Sequence, residues 1–308
     1  MEWRNCLYVP RQNWNGEIDI MKNEVFEIKV DGSLPGTKLT TYIQEHYKEI
    51  DIESRPLILI CPGGAYAYTS PREGEALAFQ FLSMGYHAAV LNYSCAPAVY
   101  PTALTELAYS IKLIREHAQE WHVNPGQLIV LGCSAGGHLA ASMGVFWEES
   151  FLAESLGIAD QELLRPNGLI LCYPVITSGE FAHKGSIQNL LGIGEKELEA
   201  GENPLIARMA LENQVSTKTP PTFIWATFTD GSVPVENSLM FVGALRRAGV
   251  PTEFHMYPCG GHGLSLATPL TGSKAVQEEV SSWIKLVHTW IDSRFVRTDK
   301  KDSVDSRS

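Results

Sequence analysis

Leu128-Ile129-Val130-Leu131-Gly132-Cys133-Ser134-Ala135-Gly136-Gly137 carries an apolar strand straight into a Gly-x-Ser-x-Gly turn. A strand that becomes a helix within two residues forces its central residue into a strained conformation. It also crowds the positions two before and two after, and glycine at 132 and 136 relieves that crowding. The Ser134 hydroxyl then stands clear of the sheet edge, above the positive end of the helix that follows. Placement between strand and helix, more than the motif itself, marks Ser134 as a candidate nucleophile.

Outward from this turn the chain reads as an α/β protein. Leu57-Ile58-Leu59-Ile60, Ala88-Ala89-Val90-Leu91, Leu169-Ile170-Leu171-Cys172, Phe223-Ile224-Trp225 and Phe254 to Tyr257 are short apolar runs, most of them separated by helical patterns. Strands apolar on both faces and joined by helices make a mostly parallel sheet covered on both sides. Helical periodicity runs from Ala103 to Trp121, and again through Val276, Val280, Trp283, Ile284, Val287 and Ile291. Val25 to Val30 and Leu39 to Tyr47 read as an antiparallel opening pair. Residues 1–297 are expected to form one domain. Within it, Pro174 to Lys218 forms a partial cap insertion carrying a helix around Ile187 to Leu191, and 298–308 is a disordered tail.

A serine needs a base, and the base needs an acid to orient it. His262, in Cys259-Gly260-Gly261-His262-Gly263 after the last strand, is the expected base. Asp230, in Thr229-Asp230-Gly231-Ser232-Val233-Pro234, is the expected acid, with Glu236 in reserve one turn into the next helix. The order Ser134, Asp230, His262 is that of an α/β-hydrolase sheet. His138 is expected to pack under the turn. Oxyanion donors are expected from the Ala135 amide and from Gly64 and Ala65 in the loop after the first parallel strand. Ser70-Pro71-Arg72-Glu73 reads as a capping box that accounts for Arg72 and Glu73 structurally. Tyr66, Tyr68 and Tyr100 suit either core packing or an acceptor pocket that stacks on a sugar. Because the base must be neutral, activity is expected to decline below about pH 6.5.

The chain has 308 residues, 44% of them hydrophobic, and a formal charge of −11, with a pI near 5.3. The basic residues are scattered, which disfavours nucleic acid and anionic membranes and favours a neutral small-molecule substrate. Six dispersed cysteines (Cys6, Cys61, Cys95, Cys133, Cys172 and Cys259) form no metal or disulfide pattern and read as reduced, buried small hydrophobes. Met1 to Cys6 lacks the basic start and apolar core of a signal peptide, and no apolar run is long enough to span a bilayer, so the cytoplasm is the expected compartment. Oligomeric state is left open.

These residues resemble the α/β-hydrolase superfamily and, within it, the bacterial acetylxylan esterase and BD-FAE-like acetyl-ester hydrolases. The resemblance runs through Pro62-Gly63-Gly64-Ala65-Tyr66, Ser70-x-Arg72-Glu73-Gly74-Glu75, Gly132-x-Ser134-Ala135-Gly136-Gly137-His138-Leu139-Ala140, Pro220-Pro221-Thr222-Phe223, Asp230-x-x-Val233-Pro234-Val235-Glu236-Asn237-Ser238 and Gly261-His262-Gly263. It implies a serine esterase that removes small acyl groups, acetyl on sugar hydroxyls among them, with neither metal nor organic cofactor. Two departures stand out. Pro62 occupies the place of the histidine in hormone-sensitive-lipase-like enzymes, and Ala65 that of a third glycine in many relatives. The same triad also serves prolyl-oligopeptidase-like peptidases and formamidases, and some hydrolase scaffolds act as small-molecule receptors.

Overall fold

The computed structural model describes residues 22–272 and 277–296. Cys6, Val276 and the 298–308 tail therefore lie outside the described residues. The strands are β1 (Lys22–Glu27), β2 (Lys38–Ile43), β3 (Arg55–Cys61), β4 (His87–Asn92), β5 (Val123–Cys133), β6 (Gly168–Cys172), β7 (Thr222–Thr227) and β8 (Thr252–Tyr257). They form one sheet in the order β1-β2-β4-β3-β5-β6-β7-β8. β1 pairs antiparallel with β2 and β2 with β4, and every other pairing is parallel.

Alternation along the strands divides the core between the two faces of the sheet, because successive side chains of a strand point to opposite sides. Leu57, Leu59, Val130, Leu171 and Ile224 pack on one face. There they meet Leu107 and Ile111 of α2 (Thr102–Glu116), Leu139 and Met143 of α3 (Ala135–Phe146), and Phe241 of a later helix. Ile58, Ile60, Leu131, Ile170 and Trp225 pack on the other face, against Phe81 of α1 (Glu75–Ser83) and Trp283 and Val287 near the C-terminus. A sheet covered on both sides in this way has no polar face to show, which is why its inner strands read as unbroken apolar runs.

The segment from Pro174 to Lys218 holds more helix than its sequence suggests. After α4 (Ser150–Ser155) come α5 (Lys184–Leu191), α6 (Glu195–Ala200) and α7 (Pro204–Arg208), so the expected single helix is one of three. The last two are short, and glycine-rich flanks mask their periodicity. α8 is Glu236–Arg247, which makes Glu236 its first residue rather than one turn in. The C-terminal helical pattern is split into α9 (Glu278–Ser281) and α10 (Trp283–Ile291). α2 ends at Glu116, short of the Trp121 limit of its periodic pattern. β8 has a neighbour on one side only and is half-buried except at the exposed Met256, not the fully buried strand its apolar run suggested. Cys61, Cys133 and Cys172 are buried, but Cys95 is half-buried and Cys259 exposed, so burial does not extend to all the cysteines.

Because β3, β5, β6, β7 and β8 run parallel, their C-terminal ends share one edge, and the loops that leave it carry Gly63, Ser134, Tyr173, Asp230 and His262.

Candidate active site

Ser134 sits between β5 and α3 at φ 53°, ψ −119°, a strained conformation for a residue with a Cβ. Its neighbours show why the turn needs glycine. A Cβ on Gly132 would lie 2.1 Å from the Gly136 carbonyl oxygen, and one on Gly136 would lie 2.1 Å from that of Cys61. The turn packs backbone against backbone, and no side chain fits between.

Ser134 Oγ lies 2.7 Å from His262 Nε2. On the far side of the ring, His262 Nδ1 lies 2.7 Å from Asp230 Oδ2. Asp230 Oδ1 accepts the N–H groups of Ser232 (2.9 Å) and Val233 (3.0 Å). Burial opposes ionisation of Asp230, but the hydrogen bond from His262, its charge and these two amides outweigh it and hold the carboxyl below its ordinary pKa. An ionised Asp230 that accepts from Nδ1 leaves Nε2 free to take a proton from the serine. The structure thus brings together the three side chains expected from the sequence. Glu236, the reserve acid, takes no part in this chain of contacts.

A pocket of about 180 Å³ opens over Ser134, bounded by Gly64, Ala65, Tyr68, His183, Ser232 and His262, with Arg72 and Glu73 at its edge. A wider cleft, about 670 Å³, lies beside Arg55, Gly85 and Asn124. It flanks the opposite, N-terminal ends of β3, β4 and β5, and its histidine, His288, is hydrogen-bonded through Nδ1 to the Tyr86 hydroxyl.

Gly64 and Ala65 line the pocket. Among the described residues nothing accepts their N–H groups, whereas Gly63 N–H is already donated to Glu73 Oε2 at 2.8 Å. Ala65 has φ 56° and Tyr66 φ 55°, left-handed backbone that only close surroundings would hold. Part of that restraint comes from the Pro174 to Lys218 segment, where Asn189 of α5 donates Nδ2–H to the Ala65 carbonyl at 2.9 Å. Ala135 opens α3, so its N–H has no preceding carbonyl in the helix, and among the described residues nothing accepts it.

Ser70-Pro71-Arg72-Glu73 does not form the expected capping box. The segment is a single 3-10 turn in which the Ser70 side chain caps nothing. Glu73 is buried instead, and its Oε1 accepts the Tyr173 hydroxyl hydrogen at 2.7 Å. The Tyr173 oxygen in turn accepts the Ser265 N–H at 2.9 Å, and the Tyr173 ring meets His262 edge-on at 5.1 Å. Sequence reasoning missed Glu73 and Tyr173 because their partners lie on three separate strand-end loops. A Glu ten residues after Gly63, within the same strand-end loop, is the one signal that could have found it.

His138 is buried under the turn, as expected. Its Nδ1 lies 3.0 Å from the Tyr66 hydroxyl and its Nε2 3.2 Å from the Met209 carbonyl oxygen. Burial lowers its pKa to about 4, with the Met209 carbonyl opposing the shift. Tyr66 is therefore a core residue, Tyr100 receives a hydrogen bond from Arg208, and only Tyr68, 61% exposed, faces the pocket. His183, immediately before α5, is a further pocket residue that the sequence did not single out.

A mostly parallel sheet with a serine at this elbow and a histidine after its last strand defines an α/β hydrolase, here an esterase-like one. The chain belongs to the BD-FAE family, whose model matches residues 46–245. It is 34% identical to endo-1,4-beta-xylanase B of Butyrivibrio fibrisolvens over 72% of this chain and 34% of that protein. It is 29% identical to the acetylxylan esterase of Xylanibacter ruminicola over 73% of this chain and 44% of that protein. The chain thus spans less than half the length of these two relatives. Among solved structures it resembles an acetyl ester-xyloside bifunctional hydrolase from Caldicellulosiruptor lactoaceticus, with a TM-score of 0.71 and 37% identity over 83% of this chain and 88% of that one. No described helix is long and apolar enough to cross a membrane.

Proposed function

We propose that this protein is a serine carboxylesterase that removes small acyl groups, acetyl foremost, from hydroxylated alcohols of the sugar or xylo-oligosaccharide class. The observation that carries the reading is the continuous chain from Ser134 Oγ through His262 to Asp230, with both contacts at 2.7 Å. Ser134 attacks the ester carbonyl as His262 Nε2 takes its proton. The N–H groups of Gly64, Ala65 and Ala135 receive the oxyanion, each worth roughly a hundred- to thousand-fold in rate. His262 then protonates the departing alcohol, and water activated by the same ring releases the acid from the acyl-enzyme.

The small acyl group is supported by the pocket of about 180 Å³, too tight for a long chain, and the hydroxylated alcohol by the polar groups around it. The names of the relatives, acetylxylan esterase and acetyl ester-xyloside hydrolase, support the same substrate class. In this reading residues 1–297 make up the hydrolase domain with Pro174 to Lys218 as its cap, and the substrate is a neutral small molecule met in the cytoplasm.

The test is a panel of acetylated xylo-oligosaccharides, p-nitrophenyl esters of increasing chain length and aminoacyl amides. Turnover is expected to be highest for acetyl esters and to fall steeply beyond butyryl. Hydrolysis confined to the amides, or none at all, contradicts the reading.

A further inference from the structure

His183 caps the N-terminus of α5, a position for which Ser, Thr, Asp and Asn are the ordinary choices. Its Nδ1 accepts the Ser186 N–H at 3.2 Å and lies 2.8 Å from the Ser186 hydroxyl. A ring nitrogen that accepts from an amide carries no proton, so the neutral ring bears its hydrogen on Nε2. Burial and the neighbouring His262 both lower the His183 pKa, against the pull of Asp230, in keeping with a neutral ring. Among the described residues Nε2 has no partner, and the residue lines the pocket over Ser134.

The cap segment also sets which side of the pocket His183 occupies. Asn237 of α8 donates Nδ2–H to the Phe181 carbonyl at 2.8 Å and accepts the N–H groups of Ile176 (2.9 Å) and Thr177 (3.1 Å). The stretch leading into His183 is thereby fastened to the helix that follows the Asp230 loop, and the His183 ring lies within electrostatic reach of His262 and Asp230, the histidine side of the serine. That is the leaving-group side, because the alcohol oxygen must meet His262 Nε2 to be protonated.

We propose that His183 donates its Nε2–H to an oxygen on the departing alcohol and so selects alcohols that carry further hydroxyl or ring oxygens. The inference rests on the reading of Ser134 as nucleophile and His262 as base. A capping residue needs only an acceptor. A histidine supplies the acceptor to α5 and, from its other nitrogen, a donor to the substrate.

The experiment compares kcat/KM of the full chain for an acetylated methyl xyloside and for cyclohexyl acetate. Both release a secondary alcohol on a six-membered ring, but only the first carries additional oxygens. His183→Asn keeps an acceptor for the Ser186 amide, and hence the helix cap, while removing the distant donor. His183→Leu removes both. The ratio of xyloside to cyclohexyl turnover is expected to fall roughly ten-fold in both variants, the worth of one hydrogen bond in a small pocket. A ratio in His183→Asn equal to that of the wild type, whether or not the absolute rates drop, overturns the proposal and leaves His183 a helix cap. Wild-type protein that hydrolyses neither ester sinks the esterase reading first, and this inference with it.

Discussion

Glu73 and Tyr173 are joined by a 2.7 Å hydrogen bond that ties the loop of Gly63 and Gly64 to the loop after β6. The other oxygen of Glu73 holds the Gly63 amide, and the Tyr173 oxygen holds the Ser265 amide three residues beyond His262. Gln at position 73 can still accept from Gly63, but its NH2 would face the phenol, leaving the phenol proton without an acceptor. Glu73→Gln is expected to lower kcat about ten-fold with a smaller change in KM, because the N–H donors of the next two residues lose their alignment to the developing charge. Glu73→Ala strands two buried donors, at about 1–3 kcal/mol each, and is expected to lower the melting temperature as well. Steady-state kinetics and thermal melts on the two variants check both parts.

Asp230 is held ionised and aimed at His262 by two amides and the ring itself. Asp230→Asn is expected to cost on the order of 10³- to 10⁴-fold in kcat, because an amide in that place favours the wrong imidazole tautomer. Glu236→Gln, at the first residue of α8, is expected to leave kcat within about two-fold. Equal losses in the two variants would transfer the orienting role away from Asp230.

The elbow glycines make a stability prediction. Gly136→Ala drives a methyl to 2.1 Å from the Cys61 carbonyl, where only backbone can move aside. The cost is expected to exceed about 3 kcal/mol. Gly231→Ala meets nothing within 4 Å and should cost less than about 1 kcal/mol. Urea denaturation of the two variants reads the difference.

Acid is expected to destabilise the protein by way of two buried histidines before it reaches the carboxylates. Burial lowers the pKa of both His87 and His138 to about 4. Between the unfolded value near 6.5 and 4, the unfolded chain binds more protons, so stability is lost as pH falls through that window, by about 3 kcal/mol for each ring once fully protonated. Asp230, whose pKa is depressed in the fold, adds to the loss only as pH drops below the ordinary carboxylate range. Glu106 works the other way: burial raises its pKa despite hydrogen bonds from Ser94 and Ser33, so its cost at neutral pH is relieved on acidification. The net expectation is a lower urea midpoint at pH 5 than at pH 7, with His138→Gln flattening the difference.

The sheet and the Ser134–His262–Asp230 chain were legible because each signal is local. Apolar runs mark buried parallel strands, and the nucleophile, acid and base each sit in a loop directly after such a run. Glu73 was read as part of a capping box because Ser70-Pro71-Arg72-Glu73 fits that pattern, yet its partners are Gly63, ten residues back in the same loop, and Tyr173, on the loop after β6. α6 and α7 were missed because six- and five-residue helices carry too few turns to show a period. His183 carries no local signal, since what distinguishes it is a pocket assembled from five separate segments.

Labelling with a fluorophosphonate, followed by peptide mass spectrometry, tests most directly whether Ser134 is an activated nucleophile. One adduct per chain, on Ser134, is expected, and His262→Ala should slow its formation by several orders of magnitude. No adduct, or one on any other residue, contradicts the account.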